Sequence, residues 1–376
     1  MHYNYNSEQD LFRDSLRKLF KQQYSYEFFR EQIKSKQESA PAIWQQLLDF
    51  GLFALPFGSD FDGLGDDPGY ALAAMEELGY GRVLEPVLAT ILMPGALLNA
   101  ADNSSITNGL IPQFMAGGST IAVAWQEAAA GFKPEEMATS ATAEGDEITI
   151  NGEKVCVLSA PAAQQLIVIA VDQLQQANAY LLDADAPGVT LTAYQTVDGA
   201  SAANITLQNV VINKSAQLFN SAPLHKLQSV LAYIHLALGA EVVGMAERLM
   251  EITAEFCKTR FQFGQPIAAF QAVQHRLADM QIATQKLQSL FWFALDAYAA
   301  GDYIPVNMLK AEIGASGVAI GQSAVQLHGG IAMTDELSVG AYLKRILAIE
   351  LTMGQREEHL ESIAGSLSGE LEQAPA

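Results

Sequence analysis

The chain has 376 residues, beyond the usual single-domain range, so two or three lobes are expected. Half of the residues are hydrophobic and 17% are charged, and the formal net charge of −21 excludes a nucleic-acid-binding face, which would need a basic patch. The two cysteines, Cys156 and Cys257, exclude a disulfide framework and have no metal-ligand neighbours at useful spacing, so no metal site is expected.

The chain opens on MHYNYNSEQD, without the basic stretch and apolar run of a signal peptide. No uninterrupted apolar segment reads as long enough to span a bilayer, and the plain expectation is a cytoplasmic protein. Residues 1–117 read as a helical lobe. Ser7 is placed to cap a helix carrying Leu11, Leu16, Leu19 and Phe20, and Ser39 with Pro41 opens another that Gly51 closes. A Gly- and Asp-rich loop runs from Gly58 to Gly69, a short helix from Tyr70 stops at Gly79, and another covers Thr107 to Met115.

The period changes over 118–218, where six short runs read as strands: Thr120–Trp125, Glu147–Asn151, Lys154–Leu158, Leu166–Val171, Ala179–Leu182 and Asn204–Leu207. Asn151-Gly152 is the strongest hairpin-turn signal in the chain, because both residues tolerate positive φ. A small antiparallel barrel or sandwich is expected. Residues 219–365 return to long helices, about Leu227–Cys257, Phe270–Ala300, Val306–Leu327 and Asp335–Ile349, which predict a four-helix bundle. Residues 366–376 read as a flexible tail. The fold class is α+β and multi-domain.

Two motifs stand out in the last third. The first, RFQFGQPIAAFQAVQHRLADM, spans Arg260 to Met280. An Arg in the last turn of a helix ordinarily complements the helix dipole, and Gly or Pro there ordinarily ends the helix. As a set, Arg260 offers a fork of donors for a pyrophosphate, Phe263 an apolar wall and Gln271 an amide. The second motif is Gln326-Leu327-His328-Gly329-Gly330. A double glycine after a helix is usually a stop, but it also lets backbone approach a phosphate.

Together these strings resemble the flavin-binding half of an acyl-CoA dehydrogenase, and the helix–β–helix order resembles that family's layout. The resemblance implies FAD as cofactor, an acyl-CoA thioester as substrate and a place in fatty acid metabolism. It implies a homo- or hetero-oligomer in which Arg260, Phe263, Gln271 and Gln326 to Gly330 reach the partner's FAD, and it admits an electron-transferring flavoprotein as electron acceptor.

The middle lobe departs from the family's pattern. Ala124 to Gly131 reads AWQEAAAG where the family carries a Ser/Thr-, Pro- and Gly-rich flavin and thioester loop, so Glu127 and Gly131 remain while the Pro and Ser are gone. Cys156 and Leu158 stand where an aromatic cover and a Thr near the reactive flavin nitrogen are typical. Leu158 has no donor, and Cys156 reads as a free cysteine in a sheet core.

The family's usual catalytic Glu falls on Met353, followed by Gly354. A thioether cannot take a proton from a substrate α-carbon, and losing a positioned base costs roughly 10²–10⁴-fold in rate. Glu350, one helical turn earlier, and His235 are the remaining candidates for a base, each with a more ordinary reading: a solvated helix face for Glu350, a core histidine for His235. The resemblance therefore implies a subunit of a heteromeric enzyme whose base lies on a paralogue. A homomeric flavoenzyme with another base, or a non-catalytic structural or CoA-binding member of the fold, are the alternatives.

Overall fold

The computed structural model describes residues 4–37 and 39–373. Twelve α-helices are found among them: α1 Ser7–Gln23, α2 Tyr26–Ser35, α3 Pro41–Asp49, α4 Gly69–Gly81, α5 Met93–Asn99, α6 Ser104–Met115, α7 Pro223–Thr259, α8 Gln271–Ala299, α9 Ile304–Glu312, α10 Val318–His328, α11 Val339–Leu351 and α12 Arg356–Gln373. The strands are β1 Ile121–Ala124, β2 Ser140–Glu144, β3 Glu147–Leu158, β4 Gln165–Val171, β5 Ala177–Asp183, β6 Val189–Gln195, β7 Ser201–Asn213, β8 Phe261–Gln262 and β9 Gln265–Pro266. The chain divides into two compact units, one of residues 1–31, 72–83 and 235–376, the other of residues 32–71 and 84–234.

In the first unit the cap of α1 is Asn6, not Ser7. The Asn6 side chain accepts from the amides of Glu8 and Gln9, and Gln9 accepts in return from the Asn6 amide, closing a capping box. Helix α4 runs through Gly79 rather than stopping there. A Cβ at Gly79 would stand 2.0 Å from the Glu241 carbonyl oxygen, and one at Gly244 would stand 1.9 Å from that of Glu76. These glycines let the backbones of α4 and α7 approach closely, so the stop signal read from the sequence was a packing signal.

Buried carboxylates on this contact are paired. Arg17 grips Glu77 with two bonds of 2.7 and 2.8 Å, and Arg345 grips Glu241 with bonds of 2.6 and 2.8 Å.

The third expected helix of the bundle comprises α9 and α10, joined by a π turn at Ile313–Gly317. The tail expected from residue 366 is helical as part of α12 as far as Gln373, and residues 374–376 lie outside the described residues. Helix α7 corrects the hydropathy reading: it is long and apolar enough to cross a membrane by length and composition. Its apolar stretch is 89% buried inside the fold, which is the condition of a core helix.

In the second unit a seven-stranded sheet is ordered β1-β4-β2-β3-β7-β6, with β5 also on β4. It is a half-barrel of mixed direction, because β1 and β4 run parallel while β2–β3, β3–β7, β6–β7 and β4–β5 are antiparallel. Its core includes Ile148, Ile150, Val157, Leu166, Val168 and Ile205.

Asn151-Gly152 is not a hairpin turn. Strand β3 continues through it, with a register shift against β7, and the reversal between β2 and β3 falls at Gly145-Asp146. Gly152 has φ of 155°, and a Cβ there would meet Thr139 at 2.5 Å, so the glycine serves a bulge that packs closely against the backbone leading into β2. Strands β2 and β6 went unread because β2 is only half-buried and β6 is an exposed edge strand without clear alternation.

Candidate functional site

Helix α7 leads directly into a tight hairpin. Phe261 pairs with Pro266 and Gln262 with Gln265, leaving Phe263 and Gly264 at the corner with φ of 50° and 82°. Positive φ at both corner positions is the geometry of a type I′ turn. The amide of Ile267 donates to the Arg260 carbonyl at 2.8 Å and closes the base of the loop. Phe263 stands 91% exposed, and Arg260 and Gln271 are exposed beside it. An aromatic residue held left-handed stores strain of order 1 kcal/mol, and Phe263 sets against it an edge-to-face contact with Phe270 at 6.1 Å.

The second motif closes α10. His328 is buried; its Nδ1–H donates to the Ala324 carbonyl at 2.8 Å, and its ring stacks on Phe256 with centroids 4.3 Å apart. Since a carbonyl only accepts, the Nδ1 proton is assigned by its partner. Burial lowers the imidazole pKa, so the ring is neutral. His328 is thus turned inward. Leu327 is half-buried, while Gln326, Gly329 and Gly330 are exposed, and nothing lies within 4 Å of a Cβ built on either glycine. Gly329 has φ of 72° and ψ of −153°, a combination open essentially to glycine alone. Phe256 precedes Arg260 by one turn and His328 directly precedes Gly329, so this stack sets the two motifs side by side.

The middle loop is arranged differently. The Glu127 carboxylate accepts from the amides of Ala138 at 2.7 Å and Thr139 at 3.0 Å, and from Lys154 Nζ at 2.8 Å. Lys154 also donates to the Trp125 carbonyl at 3.1 Å. Burial pulls the lysine down to about 8 against the attraction of Glu127. Burial works to raise the carboxyl, but Lys154 and the two amides bring it below its ordinary value. Glu127 therefore ties the loop to the sheet. The Lys154 partner was not anticipated; a lysine at an inward position of a strand was its signal in the sequence.

Cys156 is exposed, not in the sheet core. The register shift between Lys154 and Val157 turns it outward at φ of 51°, where Asn204 accepts from its amide at 3.2 Å.

Met353 is buried, at φ of 54°, in the turn after α11. His235 Nε2 lies 2.9 Å and His359 Nε2 3.2 Å from its carbonyl oxygen, with the two rings edge-to-face at 4.8 Å. Lys310 Nζ donates to the carbonyls of Gly354 at 2.6 Å and Glu350 at 2.9 Å. Burial, then the neighbouring charge of Lys310, brings His359 to about 4. Burial, His359 and Lys310 hold His235 well below the ordinary range. Both rings are neutral; His235 donates its Nε2–H to the Met353 carbonyl, and His359 is held between that carbonyl and the Asn307 side-chain amide, 2.9 Å from its Nδ1. The carboxylate of Glu350 accepts from the Arg356 amide at 3.1 Å, capping the start of α12. Neither candidate base is disengaged. Lys310 and His359 were missed by the sequence reading, since only the fold brings them to this turn.

The chain matches the descriptions "Acyl-CoA dehydrogenase, N-terminal domain" over residues 6–101, "middle domain" over 122–210 and "C-terminal domain" over 225–368. It is 27% identical to "Probable acyl-CoA dehydrogenase YngJ" of Bacillus subtilis, over 95% of this chain and 97% of that one. It is 26% identical to the short-chain specific acyl-CoA dehydrogenase of Megasphaera elsdenii, over 86% and 88%. Among solved structures, a variant of the "Tcur3481-Tcur3483 steroid ACAD" superposes with a TM-score of 0.89 at 25% identity, covering 97% of this chain and 99% of that one. The ChsE4-ChsE5 complex from Mycobacterium tuberculosis gives 0.87 at 22%, with complete coverage of both chains. The "FAD complex of PigA" gives 0.88 at 22%, covering 98% and 99%. The chain belongs to the acyl-CoA dehydrogenase family, an oxidoreductase family of FAD-binding flavoproteins.

Proposed function

We propose that this chain is a subunit of a heteromeric acyl-CoA dehydrogenase and completes a FAD site whose flavin-ring half and catalytic base belong to a paralogous subunit. The observation that carries this reading is the division between its two kinds of site. The hairpin after α7 and the end of α10 present open, preformed groups to the surface. The base position holds a buried Met353 whose carbonyl is locked by two neutral histidines.

The residues present fit one half of FAD. Arg260 would hold the pyrophosphate with its donor fork, Gln271 would offer an amide, Phe263 would wall the cofactor, and Gly329 and Gly330 leave room for phosphate to approach their backbone. His328 and Leu327 would position those glycines rather than touch the cofactor. The residues of the middle lobe do not fit the flavin ring: the Leu158 side chain has no donor, the Cys156 side chain offers no aromatic cover, and Glu127 is spent on Lys154.

The reaction supported is α,β-dehydrogenation of an acyl-CoA thioester. The partner's carboxylate would take the Cα proton, and FAD, held on this side by Arg260, Phe263, Gln271 and the backbone of Gly329 and Gly330, would supply the acceptor for the Cβ hydride. Electrons would then pass to an electron-transferring flavoprotein. Two neighbours carry names of two-component assemblies, the Tcur3481-Tcur3483 pair and the ChsE4-ChsE5 complex, which supports a paired architecture.

Mixing the chain with a co-encoded paralogue and following the bleaching of the flavin band by acyl-CoA tests the assignment. Bleaching by the mixture, lost when the partner's glutamate is changed to glutamine, is the expected result. Bleaching by this chain alone would show that it has its own base and ring site.

A further inference from the structure

The residue before the Asn6 cap fastens the start of α1. Tyr5 is buried; its ring meets Trp292 of α8 edge-on at 4.7 Å, and its hydroxyl donates to Glu76 of α4 at 3.0 Å. Arg13, further along α1, lies 5.6 Å from the same ring and 3.4 Å from the other Glu76 oxygen.

The charges at this junction do not balance. Arg17 is committed to Glu77 by its two bonds and reaches Glu247 of α7 at 3.4 Å. Arg13 is shared between Glu76 and Glu77, 3.2 Å from the second. Glu76, Glu77 and Glu247 thus face Arg13 and Arg17, three carboxylates to two guanidiniums, while α8 contributes the uncharged Trp292. Glu77 is buried but doubly paired, and the Glu247 side chain is 35% exposed to water. The Glu76 side chain is 4% exposed with one shared cation, so surplus negative charge costs most there. Burial pushes its carboxyl up to about 7 against the pull of Arg13 and the Tyr5 hydroxyl, and Glu77 and Glu247 add to the rise.

We infer that this junction is a proton latch on the N-terminal helix: Tyr5 and α1 stay docked on α4 while Glu76 holds a proton, and loosen when the proton is given up to solvent. With the proton in place, two carboxylates face two guanidiniums and the junction is neutral. Without it, one negative charge in a closed site lacks a counter-charge, and admitting water relieves it. The phenol and both guanidiniums come from α1 and the residue before it, whereas the carboxylates stand on α4 and α7, so the groups meet across one seam. Because the carboxyl is raised in the docked state, docking is favoured below about 7 and weakens as the pH rises through that value. This sense is opposite to that of His235 and His359, whose protonation opposes the fold.

Hydrogen exchange of the full-length chain from pH 5.5 to 8 tests the latch, read as protection factors so that the pH dependence of the exchange chemistry itself divides out. Helix α1 should open on its own, with protection below that of α7. Its protection should fall about ten-fold between pH 5.5 and 7.5, as Glu76 in the open form titrates at about 4.5. Glu76→Gln, uncharged at every pH and still able to accept from Tyr5, should hold α1 protection level across the range. Glu247→Gln removes a neighbouring carboxylate and should make the fall smaller and complete at a lower pH, which decides the matter if Glu76→Gln fails to fold. Protection of α1 that is independent of pH, that equals that of α7 throughout, that falls as steeply in Glu76→Gln, or that is unaltered in Glu247→Gln would overturn the latch.

Discussion

The ring of His328 lies stacked on Phe256 at 4.3 Å, joining the end of α10 to the end of α7. Two motifs far apart in the sequence share a surface because of this contact. The histidine in the second motif is turned inward, and the glycines after it are the exposed part. Replacing His328 with Leu removes the Nδ1–H bond to Ala324 and leaves that buried carbonyl without it, a loss of about 1–3 kcal/mol. The same variant should weaken cofactor retention by the mixed oligomer, which flavin release on dilution would report. Unchanged retention would mean that the glycines are placed independently of the stack.

Arg260 and Phe263 are exposed, so their loss should not touch the fold. Arg260→Ala and Phe263→Ala should each keep stability within about 0.5 kcal/mol of the parent in urea melts. Phe263→Gly should be slightly more stable than Phe263→Ala, because φ of 50° suits glycine. In the mixed oligomer Arg260→Ala should lower FAD affinity about ten-fold or more. A destabilised Arg260→Ala, or one with full FAD affinity, would speak for the helix-dipole role instead.

His235 and His359 give the fold a defined acid limit. Both are neutral when folded, with His359 at about 4 and His235 held well below its ordinary value by burial, whereas an unfolded histidine titrates near 6.5. Between those values the unfolded chain binds protons that the folded chain refuses. Stability is therefore complete above about pH 6.5 and falls as the pH drops toward 4, by on the order of 3 kcal/mol for His359. His359→Gln should flatten that slope in melting curves from pH 7 to 4. An equally steep slope in the variant would place the proton uptake elsewhere.

Lys154 and Glu127 form a buried pair at 2.8 Å. Lys154→Met leaves the carboxylate without its counter-charge and should cost about 3–5 kcal/mol. Combining it with Glu127→Gln should recover part of that loss, because the uncompensated charge is gone. A double variant as unstable as the sum of the single ones would deny the coupling.

The helical lobes were legible because apolar residues recur at helical spacing from Leu227 to Leu238 and beyond, and the two exposed motifs proposed to meet FAD stand out in the sequence because the residues of each lie close together. Gly79 and Gly152 misled, since a glycine needed for close approach looks the same in sequence as one that ends a helix or makes a turn. The ring of contacts at Met353 was illegible: His235, Lys310 and His359 come from three different helices, and nothing local in any of them signals the others. Cys156 was misread because one register shift reverses which side of the sheet a residue faces.

The most direct test of the central claim is the flavin content of this chain purified alone, compared with its content after mixing with a paralogue that carries the glutamate. The account predicts little FAD on the chain alone and a stoichiometric site in the mixture, weakened by Arg260→Ala in this subunit. Near-stoichiometric FAD on the chain alone would contradict it, since the middle lobe would then hold the flavin ring without the groups the family uses.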